Sequence, residues 1–309
     1  SNQDNIYDVQ VSAKDPVGAT VSVSYVVTVN NVSEPETVTG TVVDGLVSGA
    51  TVKLLDADGN VLATTTTDAN GQYTLEATES IGTRIVVDGG TDTTTGEAVT
   101  ITLSASKDSK YISAITTIID QAGADAATVI TNLGLPTGFD PVTDNPLGNV
   151  EAQKINATLI NIVAVGESLL EGAGVANNTG DELITAQIVT SLKAGKSLAD
   201  TSVVAEILTN SAAETSAATK GSEFSTEVAS SFLAANEVIA EATDVAAIAK
   251  VQKLVLDDDG GVASDVSTAA GVLFFDFTGL TVENANKIRR KFQEVDVPYR
   301  VVKNTLLLR

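Results

Sequence analysis

Apolar and polar positions alternate with period two over residues 6–33, and the pattern predicts two strands. The first is Ile6-Tyr7-Asp8-Val9-Gln10-Val11, and the second runs from Val21 through Val23, Tyr25 and Val27 to Val29. Lys14-Asp15-Pro16-Val17-Gly18 is the polar break between them. Two strands cannot cover their own apolar face, so something outside this hairpin has to complete it. Residues 37–104 predict six further short strands: Thr39–Val43, Thr51–Leu55, Val61–Thr65, Tyr73–Ala77, Thr83–Val87 and Val99–Leu103. Asp44-Gly45, Asp58-Gly59-Asn60, Asn70-Gly71 and Gly89-Gly90 supply the turns.

From Ser109 the period changes to that of a helix. Ile112, Ile115, Ile118 and Ile119 recur at helical spacing, as do Ala126, Val129, Ile130 and Leu133 before Gly134. A Pro/Gly/Asp-rich loop (136–148) precedes a long helix that stops at glycines near 172–174. Ala-rich helices are predicted at Asp181–Lys193, Thr201–Asn210 and Phe224–Lys253. Asp257-Asp258-Asp259-Gly260-Gly261 then breaks the helix and reads as the start of a linker. Beyond it the pattern is strand (Val272–Phe277), helix (Thr281 to Val295) and strand (Tyr299–Val302).

The fold class expected is multi-domain, β then α. A β-sandwich, whose residues 40–75 resemble a prealbumin- or immunoglobulin-like one, is followed by an α-helical bundle and a short C-terminal βαβ segment. The boundaries are 1–36 for a partial hairpin, 37–106 for the sandwich, 107–256 for the helices, 257–270 for an acidic, Gly-containing linker, and 271–309 for a basic βαβ segment.

Composition narrows the chemistry. The chain has no Cys and no His, which removes thiol nucleophiles, His-based dyads and the usual zinc, copper or haem ligands. Carboxylate-pair hydrolysis and calcium binding stay open. Net charge is −22, but unevenly spread: residues 272–309 carry 7 Lys/Arg against 4 Asp/Glu, and residues 1–271 carry 11 against 36. The acidic part should repel nucleic acid and anionic membranes. No stretch reaches the ~18 apolar residues of a membrane-spanning helix. The start at Ser1 suits a processed or excised fragment. Neither Gly-x-Gly-x-x-Gly nor Gly-x(4)-Gly-Lys-Ser/Thr occurs, so no phosphate loop is predicted.

Four resemblances add to this reading. The text DNIYDVQVSAKDPVGATVSVSYVVTVNNVSEPE (4–36) resembles the closing strands of a bacterial cadherin-like repeat. GTVVDGLVSGATVKLLDADGNVLATTTTDANGQYTL (40–75) resembles the carboxypeptidase-regulatory-like, prealbumin-type sandwich of surface proteins. SAITTIIDQAG followed by LGLPTGFDPVTDNPL looks like the helical segment that follows such modules in long adhesins. Together they imply a non-catalytic structural or adhesion segment at the bacterial cell surface. Its partners would be neighbouring modules or copies of the same chain, by strand addition or as a filament. In cadherin-like repeats acidic residues at module junctions chelate calcium, and by that resemblance Asp15, Asn30, Asn31 and Glu34 are the candidate ligands. A solvated polar linker is the competing reading of these four. Asp56-Ala57-Asp58-Gly59-Asn60 has the look of a calcium loop, but Val61 and Thr67 stand where that loop needs Gly and Glu, so it reads as a hairpin turn.

The fourth resemblance lies in the tail. Gly279–Val282, Ile288-Arg289-Arg290-Lys291-Phe292 and Tyr299–Leu306 stand in the order and spacing of the ribosomal stalk-base protein, the tenth of the large subunit. That family's N-terminal domain binds ribosomal RNA, which implies an RNA-facing role for Arg289, Arg290, Lys291, Arg300, Lys303 and Asn304. The alternatives are a solvated basic helix face, a structural βαβ cap, or a fusion or composite origin for the tail. No nucleic acid is expected on 1–256.

Overall fold

The computed structural model describes residues 6–28, 36–77, 82–175, 180–215, 218–257 and 261–271. All lie in the first of two compact units, Ser1–Gly271; the second is Val272–Arg309. The strand–helix–strand expected for the tail therefore lies outside the described residues.

The N-terminal strands form an antiparallel hairpin, β1 (Ile6–Lys14) and β2 (Thr20–Thr28), with Val11 opposite Val23. Asp15 closes the turn: its Oδ1 accepts from the backbone N–H groups of Val17 and Ala19 at 3.0 and 2.8 Å. Every described side chain from Tyr7 to Thr28 is exposed.

The next nine strands are β3 (Glu36–Val42), β4 (Val47–Ser48), β5 (Thr51–Leu55), β6 (Val61–Thr66), β7 (Gln72–Ala77), β8 (Arg84–Asp88), β9 (Thr91–Asp92), β10 (Leu103–Ser106) and β11 (Tyr111–Ile112). They make a four-stranded sheet β10-β8-β5-β6, a three-stranded sheet β11-β3-β7 and the short pair β4-β9. Burial alternates along β5, β7 and β8, so Val52, Leu54, Tyr73, Leu75, Ile85 and Val87 point into one core. Tyr73 stands opposite Gly40, where a Cβ would come within 2.6 Å of the phenol oxygen. The glycine makes room for one of the few aromatic rings in this core.

One predicted strand is displaced. Val99 and Ile101 are buried, but they belong to a loop, and the strand that pairs with β8 starts at Leu103. Loop and strand share one alternating set of buried residues, so period two alone does not separate them.

The helices are α1 (Ala114–Ala122), α2 (Ala126–Leu133), α3 (Val150–Gly172), α4 (Gly180–Lys193), α5 (Thr201–Ala213), α6 (Ala218–Glu241), α7 (Val245–Leu256) and α8 (Val262–Gly271). The single helix expected over 224–253 is two, because Asp244 starts a new one by accepting from the Ala247 N–H at 2.8 Å. Most of the expected 257–270 linker is α8, which packs on α3. A Cβ on Gly172 would meet the Ser267 carbonyl at 2.1 Å, so the two helices cross at a glycine.

A single apolar cluster runs from Val38 on β3 through Ile115 on α1 and Leu159 on α3 to Val266 on α8. The boundary expected at 106/107 marks a change of secondary structure that the core crosses. β11 lies beyond that boundary yet pairs in parallel with β3. The Ser-x-x-Thr-Thr motif does the same at side-chain level. Ser113 and Thr116 form the capping box of α1, and the Thr117 hydroxyl accepts from the Ser104 N–H of β10 at 2.8 Å.

Candidate functional site

Where the loop before β10 meets α3 and α4, a cleft of about 380 Å³ opens, lined by Asp88, Gly89, Val99, Thr100, Thr102, Glu167 and Asp181. Asp88 ends β8, Glu167 lies in the second half of α3, and Asp181 sits in the first turn of α4. Asp181 is buried; its Oδ2 accepts from the Thr102 N–H at 2.9 Å and its Oδ1 from the Glu182 N–H at 2.8 Å. Thr100 Oγ1 donates to Glu167 Oε2 at 3.3 Å. Two carboxylates thus clamp residues 100–102 of the sheet unit onto the helices.

Glu167 is pushed up to about 7. Loss of solvent is the largest cause, the charge of Asp181 adds to it, the Thr100 hydrogen bond opposes it, and Glu171 adds a little more. Near neutrality the group can therefore hold or release one proton inside the cleft. Asp88 is occupied by an ion pair with Lys53 at 2.7 Å.

A second acid is more deeply placed. Asp44, in the turn after β3, is pushed up to about 7 by complete burial and then by the Asp92 charge, against the Gln252 hydrogen bond. Gln252 Nε2 on α7 donates to its Oδ1 at 2.9 Å, and Gln153 Nε2 on α3 donates to its backbone oxygen at 2.6 Å. Asp92 accepts from the Thr94 N–H and the Thr95 hydroxyl at 2.8 and 2.9 Å. Gly45 is required here, since a Cβ would stand 2.1 Å from both Asp92 Oδ1 and Thr94 Oγ1. Asp44, Asp92, Thr95, Gln153 and Gln252 are buried, and their network ties the sheet unit to two helices.

Of the four candidate calcium ligands only Asp15 falls among the described residues, where it serves the β1–β2 turn. Asn30, Asn31 and Glu34 lie outside them. Among the described residues no group of three or more acidic side chains is arranged to hold a metal ion. Asp56 accepts from the Asp58 and Asn60 N–H groups at 2.9 and 2.8 Å, closing the β5–β6 turn. Arg289, Arg290, Lys291, Arg300, Lys303 and Asn304 all lie outside the described residues. Among the described residues no helix is long and apolar enough to cross a membrane.

The sequence reading missed Glu167, Asp181 and Asp44. Local pattern assigns Asp44 only to a turn. The one local signal for Glu167 is an acid within an otherwise apolar stretch of helix, between Val165-Gly166 and Leu169-Leu170.

Comparison with known proteins finds a likeness at the C-terminal end. Residues 261–309 match the family described as Ribosomal protein L10. Large ribosomal subunit protein uL10 of Chloroherpeton thalassium is 48% identical over 46 residues, which is 15% of this chain and 27% of that protein. Its counterpart in Caldanaerobacter subterraneus subsp. tengcongensis is 50% identical over 42 residues, 14% of this chain and 24% of that protein. That of Lactobacillus johnsonii is 39% identical over 64 residues, covering 21% and 36%. The chain thus spans 27% of the length of the first of these relatives. No solved structure matches. The family match begins at residue 261, ten residues before the expected start of the tail, and so takes in α8.

Proposed function

We propose that the C-terminal segment, residues 261–309, binds ribosomal RNA. The observation that carries this reading is the 48% identity of 46 residues to a protein of the large ribosomal subunit. Charge supports it: the excess of 7 Lys/Arg over 4 Asp/Glu in 272–309 follows a strongly acidic 1–271, so phosphate attraction is confined to this end. Arg289, Arg290 and Lys291 form one cationic run. Arg300, Lys303 and Asn304 form a second donor set, suited to phosphate oxygens and, at Asn304, to a base edge.

Filter binding of the whole chain to large-subunit ribosomal RNA tests the reading. Binding should weaken steeply with salt. Joint replacement Arg289→Ala, Arg290→Ala and Lys291→Ala should flatten the logarithmic salt slope by about one per residue removed. Salt-insensitive binding, or a slope unchanged by the triple replacement, rejects it.

A second reading concerns residues 1–256: a non-catalytic structural or adhesion module outside the cell, with a prealbumin-type sandwich at its centre. What favours it is the exposed hairpin 6–28, whose valines and tyrosines are left bare. Cell fractionation separates the readings. Recovery in the surface fraction supports the second, and co-sedimentation with ribosomes supports the first.

A further inference from the structure

Among the described residues the β1–β2 hairpin has a bare apolar face and two free edges. Tyr7, Val9 and Val11 stand in register with Val27, Tyr25 and Val23. Alternation places all six on one face, and each is between 42% and 57% exposed. The other face is mostly polar, with the Ser12 and Ser22 hydroxyls 2.6 Å apart. Among the described residues neither strand pairs with a third. A lone two-stranded sheet of this kind is marginal in water, and its unpaired backbone groups are a template for another strand.

Charge selects the partner. Asp8 and Lys14 are the only charged residues on the two strands, and both lie on the polar face of β1. Antiparallel pairing of β1 with β1 of a second copy, about a two-fold axis at Val11, sets Asp8 of each copy opposite Lys14 of the other. The same register keeps the apolar residues of both copies on one face. Centring the pair on Gln10 loses both ion pairs, and parallel pairing in register sets Asp8 beside Asp8. The β2 edge carries no charge and selects nothing.

We propose that the chain self-associates through this edge, giving a four-stranded sheet β2-β1-β1-β2 with one continuous apolar face. The inference depends on neither functional reading above. Edge pairing alone buries less than the ~1,200–2,000 Å² of a standard stable interface, so the association is concentration dependent. Stacking of two such faces, ~10 Å apart, extends it at higher concentration.

Sedimentation velocity of the full chain over a wide concentration range is the test. The unaltered chain should sediment as a dimer, passing to larger even-numbered species. Asp8→Lys alone sets like charges opposite each other twice and should weaken association at least about fivefold. Lys14→Asp alone should do the same, and the double exchange Asp8→Lys with Lys14→Asp should restore it. All these side chains are exposed, so circular dichroism should show the fold intact. A chain that stays monomeric throughout overturns the proposal. So does association indifferent to Asp8→Lys, or a double exchange that fails to recover. A monomer whose β1 amides resist hydrogen exchange also overturns it, by showing that another part of the same chain covers the hairpin.

Discussion

Gln252 on α7 donates a hydrogen bond to the carboxylate of Asp44 across 208 residues of sequence, at 2.9 Å and out of contact with solvent. The bond joins the first turn of the sheet unit to the seventh helix. Asp92 lies close enough to raise the proton affinity of Asp44 further.

Stability should therefore depend on pH with a definite sign. The pKa of Asp44 is raised in the fold from 3.8 to about 7. The folded state holds a proton over that window which the unfolded state has released. Its stabilising contribution is complete below about pH 4 and is lost as pH rises through about 7. At ~1.4 kcal/mol per pH unit the ceiling is ~4 kcal/mol. Urea denaturation should show a lower midpoint at pH 8 than at pH 5, and Asp44→Asn should flatten the difference.

Glu167 acts in the same direction, with its pKa raised from 4.5 to about 7, but it is partly open to solvent and contributes less. Glu167→Gln should remove a smaller share of the pH dependence than Asp44→Asn in the same denaturation series. It should also speed hydrogen exchange at Thr102, whose N–H is held by the neighbouring Asp181.

Gly45 has no room for a side chain between Asp92 and Thr94. Gly45→Ala should cost on the order of 1–3 kcal/mol by overpacking and break the Asp92 turn contacts. A lowered thermal midpoint with a native-like circular dichroism spectrum is the expected result.

The shared core predicts how the chain can be cut. A fragment covering 37–106 lacks β11 and the helix α1 that packs on β10, and should not unfold cooperatively. A fragment covering 36–271 should unfold in one transition, with amides of β5 and α3 exchanging at the same free energy. Leu54→Ala in that fragment should cost about 2–5 kcal/mol.

Asp244 separates α6 from α7. Asp244→Ala removes the acceptor for the Ala247 N–H and should cost about 1 kcal/mol, read as a small loss of thermal midpoint.

Signals that act within a few residues were legible from the chain alone. The turns at Asp56–Asn60 and Asn70-Gly71 and the alternation along β5, β7 and β8 follow from local chemistry. So did the likeness of the tail to a ribosomal protein, which depends on residue order and needs no fold. The strand at 99–103 was misplaced because burial in a loop imitates burial in a strand. The break at 242–244 was missed because an Ala-rich pattern continues through it.

The groups with unusual chemistry were beyond that reach. Asp181 meets Thr102 from 79 residues away, and Thr100 meets Glu167 from 67. Proton affinity depends on the solvent removed and the charges brought near, and neither quantity exists until α3, α4 and the loop before β10 have packed together. Local pattern assigned each acid to a helix or a turn, and packing alone turned two of them into groups that titrate near neutrality.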